Sequence, residues 1–404
     1  MGGAGTASAP ADRPNRRGLV LDSLCGHHLL RRRSFGAQTF SVEETDAWLK
    51  VKRPGAEVAW FSGEALVCDV ETAVGRFAAR NLVLANYGGT KGARVRSRIL
   101  LTLSFSPAVD FETAMRRIHA VRRFLEVVAG RHQRLKRVTL KIAHAGDEPT
   151  DEGRVRDYLE LYVCGDVRDP AERRNRAHVT SLPFTNVLEG ETFPRVLTRW
   201  LAVDDARLTA RSRFRSNFVQ GESFSIDRLV AAANMFDLLP ADAAPPGVPV
   251  SDDLANAVRA ARTAFKALPD TFERQAVLGA LGRVGKPALK HKVLHRAEPL
   301  IRRGGHVLPE LDFVLSEAVD ARNLYVHGSL PKRRTAKLFS DHSIFLTEAL
   351  EFAFACSELI EAGWEFGGWL NKVRSADHVF SRFARFYGDA LADYRADIAS
   401  LDRG

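Results

Sequence analysis

The sequence predicts an α+β fold, in which an N-terminal domain of mixed strands and helices precedes an all-α helical bundle. Two observations predict it. In the first half, segments such as 57–70 and 97–105 are rich in β-branched and aromatic residues and roughly alternate between apolar and polar, which is typical of strands. From about Phe193 onward, apolar residues recur at the spacing of amphipathic helices.

The N-terminal domain is predicted to cover residues 19–190. After its first strands, the predicted elements are a helix at 110–130, strands at 136–144 and 157–165, and a basic loop at 165–183. Asp110 is the predicted N-cap of that helix, and Gly130 is its predicted end. Residues 1–18, which are small, polar and rich in Pro and Gly, predict a disordered leader.

The C-terminal helical domain is predicted to cover residues 191–404. Its predicted helices lie at 193–203, 223–240, 252–268, 270–282, 286–305, 309–328, 343–362 and 376–401. Pro and Gly residues separate several of them, because neither residue continues a helix readily. The segment at 241–253 is a linker by composition.

The net charge and the cysteine content of the chain indicate what kinds of molecule it could bind and in which compartment. The formal net charge of +10 favours an anionic partner, with nucleic acid first and an acidic membrane surface second, although a solvated basic surface without such a role stays open. The four cysteines are far apart and form no CxxC pair, so the sequence suggests neither a zinc knuckle nor a disulfide framework, and a reducing cytoplasm is expected. No apolar run reaches the length of about 18 residues that predicts a membrane span.

The helix predicted at 309–328 carries charged groups where apolar ones are expected. With Pro309 as the first helical residue, Arg322 falls near the middle of the apolar stripe. A guanidinium stays charged, so its burial requires a carboxylate, a second chain or a ligand phosphate. His327 lies in the last turn of the helix and shares a face with Asn323.

Arg322 and His327 are five residues apart, and the arginine side chain is long enough to curl back toward the imidazole. The end of this helix is therefore predicted to offer a phosphate clamp, a proton carrier and a polar orienting group. The alternative is structural, with Arg322 held in a salt bridge and His327 acting only as a capping residue. The candidate carboxylates for such a bridge are Glu222, Glu273 and Asp320.

Other patterns are weaker. Arg173 and His178 repeat the spacing in a polar segment that lacks an apolar stripe. His291 and His295 are spaced like metal ligands, but no third ligand is evident. Basic clusters that could contact RNA, or could equally be solvated faces, lie at 31–33, 131–137, 173–176 and 331–334. Aromatic residues that could stack on bases, but are more typical of a core, are Trp364, Phe366 and Trp369.

The segment ARNLYVHG, in a late helix of an all-α domain, resembles the HEPN superfamily, whose ribonuclease members carry an arginine, a polar residue and a histidine at this spacing. The layout further resembles the ApeA-like anti-phage proteins, in which a domain of strands and helices precedes a HEPN domain. The segment at 111–130 resembles that N-terminal domain, and the segment at 217–236 resembles the first long HEPN helix, with Glu222 as its acidic residue.

This resemblance implies a metal-independent endoribonuclease that needs no cofactor, forms a homodimer through its HEPN domain and acts in abortive-infection defence, with a phage-derived trigger. Arg322, Asn323 and His327 would be catalytic: His327 as general base or acid, Arg322 on the phosphorane charge, and Asn323 as the orienting group. Substrate-binding residues would be Lys332, Arg333, Arg334 and Glu222. The alternative is a non-catalytic dimerisation or RNA-binding scaffold of HEPN type.

Overall fold

A computed structural model of the chain describes a defined set of residues. They are 18–24, 48–53, 56–61, 65–87, 93–141, 158–161, 181–184, 190–247, 249–372 and 375–403. Strands dominate the first part and helices the second, which confirms the predicted α+β class. The leader predicted for residues 1–18 lies, apart from Gly18, outside the described residues, and the predicted domain boundaries stay predictions.

The chain divides into two compact units. The first comprises residues 1–125, 133–172 and 185–202, and the second comprises residues 126–132, 173–184 and 203–404. The strands of the first unit are β1 (Gly18–Leu24), β2 (Trp48–Arg53), β3 (Ala56–Phe61), β4 (Ala65–Thr72), β5 (Gly75–Tyr87), β6 (Ala93–Ser104), β7 (Leu135–Lys141) and β8 (Tyr158–Leu161). Six of them form an antiparallel sheet in the order β4-β5-β6-β1-β7-β8, whereas β2 and β3 pair separately.

The core of the first unit forms between the sheet and helical side chains. Along β6, Ile99, Leu101 and Leu103 are buried at every second position, as a strand with one core face requires. The helices α1 (Phe111–Ala129) and α2 (Thr192–Ala202) supply the helical side chains of this core. The ring of Phe124 packs edge-on against Phe193, with centroids 5.7 Å apart, and against Trp200 at 5.9 Å.

The predicted ends of α1 are confirmed. Asp110 is the N-cap, because its Oδ1 accepts a hydrogen bond from the backbone N–H of Thr113 at 2.8 Å. Gly130 follows the last helical residue with φ of 65°, a conformation that glycine adopts without strain.

The second unit is helical. Its helices are α3 (Asp204–Gln220), α4 (Ile226–Asp237), α5 (Asp252–Lys266), α6 (Phe272–Leu281), α7 (Leu289–Gly304), α8 (Leu311–His327), α9 (Ala336–Asp341), α10 (Ser343–Glu361), α11 (Phe366–Leu370) and α12 (Val379–Arg403). The prediction from residue spacing omitted α3, α9 and α11. Among the described residues, no helix combines the length and apolarity needed to cross a bilayer.

The long first helix expected at 217–236 from the resemblance is wrong. A continuous helix is interrupted there because Gly221 takes φ of 58°, which ends α3. The next helix, α4, then starts with its own cap, since Ser225 Oγ accepts from the backbone N–H of Arg228 at 3.2 Å. This agrees with the separate helix predicted at 223–240.

The helix α3 escaped prediction because its buried face carries arginines. Arg207 and Arg211 are 1% and 3% exposed, so much of the buried face is charged, and Ala210 and Phe214 alone are too few to mark an apolar stripe. Arg207 donates to Glu358 at 2.9 Å and to Glu361 at 2.8 Å. Arg211 donates to the other oxygen of Glu358 at 2.8 Å.

Two further residues complete this buried ion cluster. Arg296 of α7 donates to Glu358 at 2.8 Å and to Glu361 at 2.5 Å. Arg211 also donates to Asp204 at 3.0 Å. Three guanidinium groups, from α3 and α7, thus meet three carboxylates, from α3 and α10, and each arginine of the cluster has a charged acceptor.

The aromatic segment after α10 belongs to the core. Trp364, Phe366 and Trp369 are 1%, 0% and 6% exposed, so the core interpretation is confirmed and stacking on bases is excluded for these rings. The indole of Trp364 donates to the carbonyl oxygen of Pro183 at 2.8 Å, which satisfies its buried N–H.

Replacing Glu358 should destabilise the second unit strongly. Glu358→Gln removes the charge shared by Arg207, Arg211 and Arg296 but keeps the side-chain shape, so we expect a loss of about 3–5 kcal/mol in the free energy of unfolding. Urea denaturation measures it. The matched control is Glu298→Gln, whose exposed pair with Arg302 should change stability by about 0.5 kcal/mol or less. Equal effects of the two changes would contradict the role given to the cluster.

The cluster also predicts loss of stability in acid. Burial alone would raise the pKa of Glu361, but hydrogen bonds and charges from Arg207 and Arg296 outweigh it and lower the pKa from 4.5 to about 2. The stabilisation from this carboxylate is therefore complete above pH 4.5 and is lost as the pH falls toward 2. The measured difference in unfolding free energy between the wild type and Glu361→Gln should shrink over that interval, and a constant difference would refute the assignment.

Candidate functional site

The site lies at the C-terminal end of α8. Gly328 closes the helix with φ of 69°, and its N–H donates to the carbonyl oxygen of Leu324 at 2.8 Å, so the predicted end is confirmed. The predicted start at Pro309 is wrong, because Glu310 takes φ of 54° and the helix begins at Leu311. The apolar stripe is buried up to Ala321, whereas Val326 in the last turn is 43% exposed.

Arg322 brings the predicted residues together. One terminal nitrogen, Nη1, lies 3.0 Å from Nε2 of His327 and donates to Oδ1 of Asn323 at 3.1 Å. The side chain therefore curls back to the imidazole as the five-residue spacing predicts. Asn323 thus contacts and orients the guanidinium of Arg322 rather than the imidazole of His327.

The opposite edge of the guanidinium is held by a residue that the sequence did not single out. Asn234, on α4, accepts with its Oδ1 from both Nε and Nη2 of Arg322, at 3.2 Å and 3.0 Å. The two residues are 88 positions apart, so helical spacing could not reveal the contact. The available signal was an amide between the buried, apolar Ala233 and Met235.

The acceptors of Arg322 are neutral. Asp320 pairs with Lys290 at 2.9 Å, and Glu222 pairs with Arg382 at 3.0 Å. Within the part of the chain that the structure describes, no carboxylate lies within ion-pair distance of Arg322, so the salt-bridge alternative is not realised there. The half-buried guanidinium keeps its full positive charge, which favours an anionic ligand.

The contact between Arg322 and His327 fixes the state of the imidazole. A guanidinium only donates hydrogen bonds, so Nε2 of His327 must accept. Within this contact the ring proton lies on Nδ1. Because His327 is exposed, its ring is within reach of a substrate from solution. A neutral imidazole beside an uncompensated cation is suited to accept a proton near a bound phosphate.

The basic loop after α8 is only partly available to a ligand. Arg334 is bound to Glu317 by two hydrogen bonds, at 2.7 Å and 3.0 Å, and the hydroxyl of Tyr394 donates to the same carboxylate at 2.7 Å. Arg334 thus anchors the loop. Lys332 and Arg333 are exposed, and Nη1 of Arg333 lies 4.0 Å from a carboxylate oxygen of Asp402.

The remaining candidates do not join this site. Glu222 is exposed and pairs with Arg382 of α12. His291 and His295 are exposed on α7, and among the described residues no three His, Cys, Asp or Glu side chains could hold a metal ion together. The spacing copy at Arg173 and His178 and the basic clusters at 31–33 and 173–176 lie outside the described residues.

No family model matches the sequence, and neither the curated proteins nor the solved structures yielded a match. The assignment of the site therefore depends on the contacts of Arg322 alone.

The tautomer of His327 is testable by nuclear magnetic resonance. We expect long-range nitrogen–proton spectra of neutral His327 to show the proton on Nδ1, because Arg322 occupies Nε2. In Arg322→Met the proton should move toward Nε2, since the donor is gone. The exposed His291 is the internal reference and should not change between the two proteins. A wild-type spectrum with the proton already on Nε2 would rule out the contact in solution.

Proposed function

We propose that the chain is a metal-independent endoribonuclease of HEPN type, which acts as a homodimer in the cytoplasm during abortive-infection defence against phage. One observation carries the proposal: the guanidinium of Arg322, with neutral acceptors only, lies 3.0 Å from the exposed imidazole of His327. The net charge of +10 supports an anionic substrate of high charge density, such as RNA.

In the proposed reaction, a phosphodiester of the RNA binds Arg322 and competes with His327 for Nη1. The released lone pair of Nε2 then removes the proton of the neighbouring ribose 2′-OH. The 2′ oxygen attacks the phosphorus, and the bond to the 5′ oxygen breaks. Arg322 stabilises the charge that develops on the phosphorane, and Asn323 holds its Nη1.

The leaving 5′ oxygen takes a proton from water or from His327, which became an imidazolium when it accepted the 2′-OH proton. The products are a 2′,3′-cyclic phosphate and a 5′-OH, and DNA cannot react because it lacks the attacking hydroxyl. Lys332 and Arg333, exposed just after the helix, would contact flanking phosphates. A phage-derived trigger would act on this site or on its dimer.

A second function, a non-catalytic scaffold of HEPN type, is favoured by one feature of the same site. The lone pair on Nε2 of His327 accepts a hydrogen bond from Arg322, and Arg322 in turn contacts Asn234. The two side chains could therefore serve only to fasten the end of α8 to α4. The two functions differ in what they require of the imidazole. Catalysis requires that the imidazole of His327 leave Arg322 and transfer a proton, whereas a scaffold requires only the hydrogen bond between the two residues.

An assay of the cleavage of labelled RNA in the presence of EDTA distinguishes the ribonuclease from the scaffold. The assay is run with and without extract from phage-infected cells, which would supply a trigger. We expect the wild type to cleave, His327→Ala to lose about 10²–10⁴-fold in rate, and Arg322→Ala to lose about 10²–10³-fold. Products should end in a 2′,3′-cyclic phosphate.

The matched controls are His291→Ala and Arg302→Ala, which remove an exposed histidine and an exposed arginine from α7 and should cleave like the wild type. Equal cleavage by all variants would point to a contaminating nuclease. A wild type that binds RNA but never cleaves it would favour the scaffold.

A further inference from the structure

The buried arginines of the helical unit are paired with carboxylates, whereas the half-buried Arg322 is not. Arg228, on the same helix as Asn234, is paired with Glu351 at 2.8 Å. Arg334, which follows α8, is paired with Glu317 at 2.7 Å. The three arginines of the buried ion cluster also have carboxylate partners. At Arg322, the acceptor that takes the place of a carboxylate is the side-chain amide of Asn234.

The backbone that carries this amide is held in place by α4. Asn234 lies in the last turn of α4 between the buried Ala233 and Met235, and its backbone carbonyl accepts from the N–H of Leu238 at 3.2 Å. Its Oδ1 receives two hydrogen bonds from one edge of the guanidinium. That edge is therefore fixed, and Nη1 remains on the side of Asn323 and His327.

An aspartate would hold the same edge equally well, because it has the same shape and a stronger acceptor. It would also cancel the charge of Arg322 and supply an anion in place of the ligand. The choice of an amide thus separates two effects that a carboxylate would combine, namely orientation of the guanidinium and neutralisation of its charge.

We propose that Asn234 is a positioning residue of the site, which orients Arg322 toward a phosphodiester beside His327 and, by being uncharged, keeps the guanidinium able to bind it. The effect on cleavage rests on the proposed function, whereas the effect on binding does not. Asn234 would act through Arg322 and need not touch the substrate.

The test compares Asn234→Asp and Asn234→Ala with the wild type. The binding probe is a single-stranded oligonucleotide with 2′-deoxyribose throughout, which carries the phosphodiester but cannot be cleaved. We expect affinity to fall in the order wild type, Asn234→Ala, Asn234→Asp, with at least about a tenfold loss for the aspartate variant. Its melting temperature should equal or exceed that of the wild type, because the new carboxylate pairs with Arg322.

A purely structural role predicts a different order. In that case Asn234→Asp would bind and cleave like the wild type, and only Asn234→Ala would be impaired. Measuring that order would overturn the proposal. If Asn234→Asp does not fold, Asn234→Ala still decides, since unchanged affinity and unchanged cleavage in that variant would also overturn it.

The matched control is Asn256→Asp. Asn256, on α5, accepts a hydrogen bond from Arg259, so the change places the same charge against an arginine at an exposed position of the same unit. We expect it to bind the probe like the wild type, and a comparable loss there would assign the effect to overall charge and refute the proposal. A wild type that binds the probe but does not cleave RNA would remove the proposed function and leave the binding inference intact.

Discussion

The helical unit depends on the permanent charge of its arginines. Because a guanidinium does not lose its proton, α3 can bury Arg207 and Arg211 only where carboxylates meet them, and α10 and Asp204 of α3 supply these. Glu358, itself 1% exposed, is the centre of this arrangement and contacts three arginines. The helices so joined also pack against α4 and α8, so the cluster belongs to the same framework that brings the end of α8 to α4.

The permanent charge of arginine also explains why Arg322 stands out in this unit. In a unit that provides carboxylates for its buried arginines, a half-buried guanidinium with amide and imidazole acceptors retains an unbalanced charge. Its field extends to the imidazole 3.0 Å away, at the exposed end of the helix. The fold thus combines a fixed cation and a solvent-accessible base within one helical turn and a half. That combination is suited to phosphate chemistry and has no evident purpose in a purely apolar core.

Much of this could be predicted from the sequence, because it depends on local geometry. Spacing gives most helices, Asp110 and Gly328 mark helix ends, and the proximity of Arg322 and His327 follows from the helical repeat. Long-range contacts could not be predicted. Nothing near Arg322 in the sequence points to Asn234.

A helix whose buried face is charged also could not be predicted, because helices are predicted from the periodic recurrence of apolar residues. The helix α3 was overlooked for that reason, since arginines occupy its inner positions. In evolutionary terms, these six ionic positions are interdependent, because exchanging any one of them leaves a buried member of the cluster with one ionic partner fewer. Descendants of this chain would conserve them as a set or replace them together, and a relative would be recognised more readily by correlated Arg and Glu positions than by shared hydrophobic residues.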